Sequence, residues 1–282
     1  MSDHLHTDLP PLTLSFMGAN YVAKELGYGA TDEWDPFDVA TNAAFEPIET
    51  FGARFEELLA GVEAAGFRAL DLWLAHLNWR WATPEHVTIA RELLDRHSLR
   101  VVSLAGNFGD TADDLTRACA LANGLDVDLL GGMGDVLRND HDGAVSVLRE
   151  HGVRFAYENH PEKTPDEVFA LIGDADDVLG SAVDTGWWAT QGYDPVQAIR
   201  DLRERLFLVH LKDVEAPVTH ISCMHGEGVA RIAACVDELL DQGYLGALTI
   251  EHEPFDRDPT AEVIRMRELI EAQLAARAGN RV

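Results

Sequence analysis

The chain has 282 residues, of which 22 are Lys or Arg and 49 are Asp or Glu, so its formal net charge is −27. A surface this acidic repels phosphate backbones and anionic lipids, so we expect no nucleic-acid partner and no membrane partner. Hydrophobic residues make up 46% of the chain and charged residues 25%, which is typical of a globular protein. The length suits one large barrel domain or two small domains.

Short apolar runs, typical of parallel strands covered on both faces, alternate along the chain with segments of helical periodicity. The runs lie at residues 12–17, 69–75, 100–106, 127–133, 154–160, 181–187, 206–213 and 247–254. The helical segments lie at about 51–65, 84–97, 111–124, 139–151, 165–173, 195–205, 229–242 and 259–277. Eight such pairs predict an α/β fold, a single-domain (β/α)8 TIM barrel, and a doubly wound sheet is the alternative.

The first predicted connection is unusually long. We expect residues 1–11 to be a flexible N-terminal tail and residues 12–278 to form the barrel. Residues 18–50 exceed what a simple βα loop needs, and they contain several aromatic residues, among them Trp34 and Phe45. We predict that this insert serves as a lid or as an oligomer contact.

The cysteines and the first residues indicate the compartment. Cys119, Cys223 and Cys235 are odd in number and have no CxxC spacing, so they are predicted to be free thiols. The first residues do not show the basic segment followed by an apolar segment that a secretory signal would have. Both observations predict a reducing compartment, the cytoplasm.

A carboxylate or an imidazole stands at the end of four consecutive predicted strands. Glu158 ends the fifth, Asp184 the sixth, His210 the seventh and Glu251 the eighth. In a TIM barrel these ends meet at one mouth, where active sites lie. Three carboxylates in one apolar mouth need a counter-charge, and oxygen donors with one imidazole favour Mn²⁺, with Mg²⁺ or Co²⁺ as alternatives. Each residue alone could be an ordinary strand-end group, but together they predict one divalent metal ion.

Four motifs carry a resemblance to a known family: YENH, VDTGW, VHLKD and TIEHEP, in this order. Through them, residues 12–273 resemble the sugar phosphate isomerase/epimerase superfamily of xylose isomerase-like TIM barrels. The resemblance implies a divalent metal held by Glu158, Asp184, His210 and Glu251. In the ketose epimerases of this superfamily the two metal-bound glutamates also move protons, which implies that Glu158 and Glu251 are the acid–base pair.

The predicted function is therefore a metal-dependent reaction of a small-molecule sugar or keto-sugar. Removal of an α-proton would give a metal-stabilised enediolate, and return of the proton elsewhere gives isomerisation or epimerisation. Trp187 and Trp188 stand where the epimerases usually carry a histidine, which favours the alternative of a lyase that performs β-elimination on a keto-sugar or inosose, as a dehydratase or deglycosidase does. Two further alternatives are an abasic-site endonuclease, which the acidic charge disfavours, and a sugar-binding barrel without activity.

Residues two apart on a strand point the same way, so more side chains should share this mouth. His160 and Lys212 are predicted to act as acids or bases, although Lys212 could instead form an ion pair with a site carboxylate. Four side chains are predicted to contact substrate or to support the residues that do; they are His76, Asn107, Trp187 and Glu253. Asn107 could also simply cap its loop. The superfamily resemblance also leaves a homo-oligomer open.

Overall fold

The computed structural model describes residues 12–279, so the tail predicted at 1–11 lies outside the described residues. The barrel strands are β1 (Thr13–Met17), β2 (Ala69–Trp73), β3 (Arg100–Asn107), β4 (Leu129–Met133), β5 (Arg154–Glu158), β6 (Leu179–Asp184), β7 (Leu206–Leu211) and β10 (Ala247–Ile250). They are parallel and close in the order β1-β10-β7-β6-β5-β4-β3-β2, which confirms the predicted (β/α)8 TIM barrel. Between β7 and β10, β8 (Asp213–Val214) and β9 (Ser222–Cys223) form a separate antiparallel ribbon.

Helices surround the barrel. Within residues 12–279 they are α1 (Trp34–Phe45), α2 (Ile48–Ala64), α3 (Pro84–His97), α4 (Ala112–Gly124), α5 (Val136–Asn139), α6 (His141–His151), α7 (Pro165–Ile172), α8 (Thr185–Thr190), α9 (Pro195–Leu202), α10 (Ile232–Asp241) and α11 (Thr260–Gly279). Two short 3-10 helices lie at Gly18–Tyr21 and Arg203–Arg205. In the described part of the chain, none of the helices combines the length and apolarity needed to span a membrane.

One element differs from the sequence prediction in a way that matters for the site. The prediction extends the sixth strand to residue 187, whereas β6 ends at Asp184 and Trp187 lies in α8. A helix of only six residues that contains two tryptophans shows the same short apolar run as a strand. The sequence pattern therefore does not distinguish a helix from a strand here. Asp184 is therefore both the last residue of β6 and the N-cap of α8.

Alternation along the strands decides which side chains face the barrel axis. On β5 to β7, Phe155, Val183 and Val209 pack outward in the main core under the helices. The residues on the opposite faces are small or apolar and form a separate interior cluster, which consists of Leu129, Ala156, Ala182 and Leu208. Glu158, Asp184 and His210 each lie two residues after a member of this cluster, so they point inward at the mouth.

The 18–50 insert covers the mouth beside β1 and β2. Trp34 lies 5.6 Å from Trp73 and Phe37 lies 5.0 Å from Phe255, measured between ring centroids. These rings pack in a buried cluster together with Met17 at the end of β1. The aromatic residues of the insert are thus largely packed against the barrel, and its role as a lid or oligomer contact stays a prediction.

Candidate metal centre

The four strand-end residues lie together and are buried. Glu158, Asp184, His210 and Glu251 are at most 7% exposed. Two groups of side chains could hold a cation: Glu158 with His160 and Asp184, and Glu158 with His210 and Glu251. Within each group the ligand atoms lie within 4.8 Å of one another. Glu158 belongs to both groups, so the predicted metal-ligating residues converge around one carboxylate. We call Glu158, Asp184, His210 and Glu251 the acidic cluster.

His210 is held from both sides of its ring. Its Nδ1 lies 2.6 Å from Glu158 Oε1 and 3.2 Å from Glu251 Oε2, and its Nε2 lies 2.9 Å from Asp71 Oδ2. Burial by itself would lower the pKa of His210, but the charge of Glu158 and the hydrogen bonds to Asp71 and Glu158 raise it well above the ordinary value. The surrounding carboxylates therefore favour the protonated ring while no cation is bound, and a cation at Nδ1 would take the place of that proton.

The two carboxylate oxygens of Asp184 have different surroundings. Oδ1 accepts a hydrogen bond of 2.9 Å from the Trp187 amide as the N-cap of α8. The Asn159 side chain holds the Asp184 backbone, accepting from its amide at 2.8 Å and donating to its carbonyl at 3.2 Å. Oδ2 is buried without a hydrogen-bond partner. Burial and the charge of Glu251 raise the pKa of Asp184.

The acidic cluster fits a divalent cation. Asp184 Oδ2 and His160 Nε2 are both buried, lie 3.7 Å apart and have no hydrogen-bond partner in the described structure. Buried polar atoms are rarely left unpaired in proteins, so these two atoms are available to a ligand. Three carboxylates and an imidazole are the donors that Mn²⁺, Mg²⁺ or Co²⁺ takes, whereas a thiolate zinc site would need cysteines here.

Lys212 lies between two carboxylates just beyond β7. Its Nζ is 2.7 Å from Glu251 Oε1 and 2.5 Å from Glu253 Oε2, and the side chain is buried. Burial raises the pKa of Glu253 to about 8 although Lys212 acts to lower it. Burial also opposes ionisation of Glu251, but Lys212 and His210 outweigh it and hold the pKa of Glu251 below its ordinary value. The ion pair considered from the sequence is therefore the observed geometry of Lys212.

Aromatic rings line the cluster on the side of α8. The Trp187 ring lies 4.1 Å from the His160 ring and 4.3 Å from the His220 ring, measured between centroids. Trp187 is therefore adjacent to the cluster, and its predicted contact with substrate stays a prediction. His220 was not identified from the sequence because it lies in the long loop between β8 and β9, where no periodicity marks its direction.

His76 and Asn107 are held by their own surroundings. His76 is buried against Phe45 and Trp73, at centroid distances of 4.8 and 5.2 Å, and it lines a cavity of about 10 Å³ together with Leu58 of α2. Asn107 Oδ1 accepts a hydrogen bond of 2.8 Å from the Gly109 amide, which is the loop-capping alternative considered for it. Contact of either residue with substrate stays a prediction.

Burial of His76 predicts acid sensitivity of the fold. Burial lowers the pKa of His76 to about 3 in the folded protein, from 6.5 in an unfolded chain. Between these pH values the unfolded chain binds a proton that the folded protein does not, so stability falls as the pH falls. We expect His76 to account for about 2 kcal/mol of the loss in unfolding free energy between pH 7 and pH 5.

Urea denaturation of the wild type and His76→Gln at both pH values measures this loss. The variant should have the flatter pH dependence, and His151→Gln, at the end of α6, is the control for removing a histidine. A His76→Gln variant that loses as much stability as the wild type between pH 7 and pH 5 would contradict the prediction.

Polar residues outside the predicted set fix the acidic cluster. Asp71 on β2 binds His210, and its only signal in the sequence is a single acid inside the apolar run ALDLWLA. The segment after β10 is held through His252, whose amide donates to Asn20 Oδ1 at 2.7 Å and whose Nδ1 lies 2.7 Å from Ser222 Oγ. The Glu253 amide also donates to Ser222 Oγ, at 3.3 Å. These bonds fix the backbone that carries Glu251 and Glu253.

Comparisons with known proteins agree with this fold. The family described as xylose isomerase-like TIM barrel matches residues 59–272. Among solved structures, a D-tagatose 3-epimerase-like protein is 15% identical with a TM-score of 0.69, and the match covers 96% of this chain and all of that one. D-Allulose 3-epimerase from Methylomonas sp., in complex with D-allulose, is 15% identical with a TM-score of 0.66, over 94% of this chain and 98% of that one.

A third solved structure has a different named reaction. The probable 3-DHS dehydratase AsbF from Bacillus anthracis is 13% identical with a TM-score of 0.65, and the match covers 92% of this chain and 99% of that one. No curated protein matches this chain in sequence. At these identities the three structures establish the shared fold alone.

Proposed function

Because the chain belongs to the xylose isomerase-like TIM barrel family, we propose that it is a divalent-metal-dependent enzyme that isomerises or epimerises a sugar or keto-sugar. The proposed reaction begins with removal of a proton next to the substrate carbonyl. The observation that carries the proposal is the acidic cluster of Glu158, Asp184, His210 and Glu251, in which one Asp184 oxygen has no partner.

Each side chain of the cluster has a chemical task in this proposal. A bound divalent cation, Mn²⁺ first and Mg²⁺ or Co²⁺ as alternatives, would supply Lewis-acid polarisation of substrate oxygens. Asp184 and His210 are the ligands without a proton-transfer role. Glu158 and Glu251 carry the carboxylates that remove the α-proton and return it, as general base and general acid. Lys212 keeps Glu251 ionised through the 2.7 Å ion pair.

A β-elimination is the second candidate, and the position of His160 favours it. Its Nε2 has no partner and lies 3.8 Å from Glu158 Oε1, so it can deliver a proton to a leaving hydroxyl after Glu158 has removed the α-proton. The Trp187 ring contacts the same imidazole, with the two ring planes inclined at 46°. One similar structure is an epimerase and another is a probable dehydratase, so both outcomes occur on this fold.

The proposed substrate is a small sugar or keto-sugar. One relative of similar fold binds D-allulose, and the Trp187 indole beside the cluster is a surface on which a sugar ring can stack. A cytoplasmic location and a homo-oligomer are also parts of the proposal.

Deuterium exchange tests the proposed chemistry directly. The protein with Mn²⁺ is incubated in D₂O with a panel of ketohexoses, 3-keto-sugars and inososes, and the products are followed by NMR and mass spectrometry. We expect an isomeric product with deuterium at the α-carbon if a proton is returned there, and a product lighter by one water, without the α-proton, if elimination follows. A chelator should abolish the exchange, and Mn²⁺ should restore it. Absence of exchange throughout the panel would contradict the proposal.

A further inference from the structure

Asp71 is a fully buried carboxylate inside the barrel, away from the strand ends. It lies on β2 with its Cα paired to Met17 on β1 and to Ser103 on β3. Its Oδ2 lies 2.9 Å from His210 Nε2 and accepts a longer hydrogen bond of 3.4 Å from Thr249 Oγ1. Asp71 is therefore hydrogen-bonded to the acidic cluster through Nε2 of His210.

Packing gives no reason for a carboxylate at this position. On the other side of the barrel, Ala156, Ala182 and Leu208 fill the interior with apolar groups. Asp71 Oδ1 has no hydrogen-bond partner, and a buried carboxylate with incomplete partners destabilises a fold. A residue that is unfavourable for the core and points at one site side chain indicates a role in that site.

The hydrogen bond decides which nitrogen of His210 carries the proton. A neutral imidazole has one N–H, and a carboxylate acceptor at Nε2 keeps the proton there. The lone pair is then on Nδ1, which faces Glu158 and Glu251. Without Asp71, the proton would move to Nδ1, where Glu158 Oε1 at 2.6 Å would accept it and a cation would be excluded.

We propose that Asp71 is a positioning residue that holds His210 with Nδ1 directed at the metal. This inference rests on the proposed function, because it requires that the acidic cluster binds a cation. Asp71 does not touch the cation in this arrangement. It acts through the His210 ring, as carboxylates behind metal-bound histidines do.

Metal affinity tests the inference without an activity assay. Mn²⁺ binding is measured by isothermal titration calorimetry for the wild type, Asp71→Asn and Ser103→Ala. Ser103 is the matched control, because it is the β3 partner of Asp71 and its buried hydroxyl has no hydrogen-bond partner. We expect Mn²⁺ affinity about 10- to 100-fold weaker in Asp71→Asn and unchanged in Ser103→Ala.

The His210 tautomer is a second readout that a merely structural role would not change, and it needs no substitution of Asp71. The protein is labelled with ¹⁵N-histidine and loaded with ¹¹³Cd²⁺, in a His160→Gln background that removes the other imidazole of the two candidate groups. We expect ¹¹³Cd coupling at Nδ1 of one histidine and a proton on its Nε2. Coupling at Nε2 would overturn the inference.

The remaining outcomes separate this inference from the proposed function. Wild-type protein that binds no Mn²⁺ would overturn both. Wild-type protein that binds Mn²⁺ tightly, with Asp71→Asn binding equally well, would overturn the role of Asp71 and leave the proposed function standing.

Discussion

Glu158→Gln and Glu251→Gln are each expected to lower turnover by about 100- to 10,000-fold. Glutamine has nearly the same shape as glutamate but cannot accept the α-proton, so the substitution removes the base and keeps the volume. Both side chains are buried in the acidic cluster. The rate of deuterium exchange at the substrate α-carbon, measured at saturating Mn²⁺, is the readout.

The same substitution at Glu57 is the matched control for this prediction. Glu57 is exposed and forms a surface ion pair of 2.8 Å with Lys24, so Glu57→Gln should exchange deuterium at the wild-type rate. Mn²⁺ affinity is measured in parallel, because the loss of a ligand would also weaken metal binding. Exchange at the wild-type rate in both cluster variants would contradict the assignment of Glu158 and Glu251 as the acid–base pair.

Periodicity made the fold predictable from the sequence. Buried parallel strands are near-continuous apolar runs, and the eight barrel strands were located within a few residues for this reason, whereas the ribbon of β8 and β9 was not predicted. The error at α8 has the same origin, because a short apolar helix presents the same run as a strand. The correction moves Trp187 from a strand end to a helix, where its amide binds Asp184 and its ring contacts His160.

The positions of the acidic cluster were predictable because each follows an apolar strand body at the same end of the barrel. The contacts of these strand-end residues were not predictable. They depend on loops whose conformation no regular sequence pattern indicates. Lys212 had an acid–base role and an ion pair as equal alternatives, and only the backbone after β10 brings Glu253 to it. His76 was predicted to face the mouth, and its packing 4.8 Å from the Phe45 ring of α1 could not be read from the sequence. Asp71 was missed because an isolated acid within a strand has no motif.

The acidic cluster contains more buried negative than positive charge, and Lys212 beside it supplies positive charge that offsets the excess. We expect Lys212→Met, studied with a chelator present, to lower the free energy of unfolding by about 3–5 kcal/mol. Methionine keeps the length of the side chain and removes the charge that binds Glu251 and Glu253 at 2.7 and 2.5 Å. Glu253 would then lack its cation and Glu251 would keep only His210, 3.2 Å away, and such undercompensated buried charge is far more costly than the loss of a surface pair. Urea denaturation measures the effect.

Lys24→Met is the matched control, because Lys24 also forms one 2.8 Å ion pair with a glutamate but at the surface. Its loss should cost less than about 1 kcal/mol, since water screens the pair. Adding Glu253→Leu to Lys212→Met should recover part of the stability, because it removes one of the unpaired carboxylates. Equal and small losses in the two lysine variants would show that Lys212 does not balance the cluster. The carboxylates would then have to be neutralised by bound protons in the metal-free protein, which would leave Glu251 a weaker base than proposed.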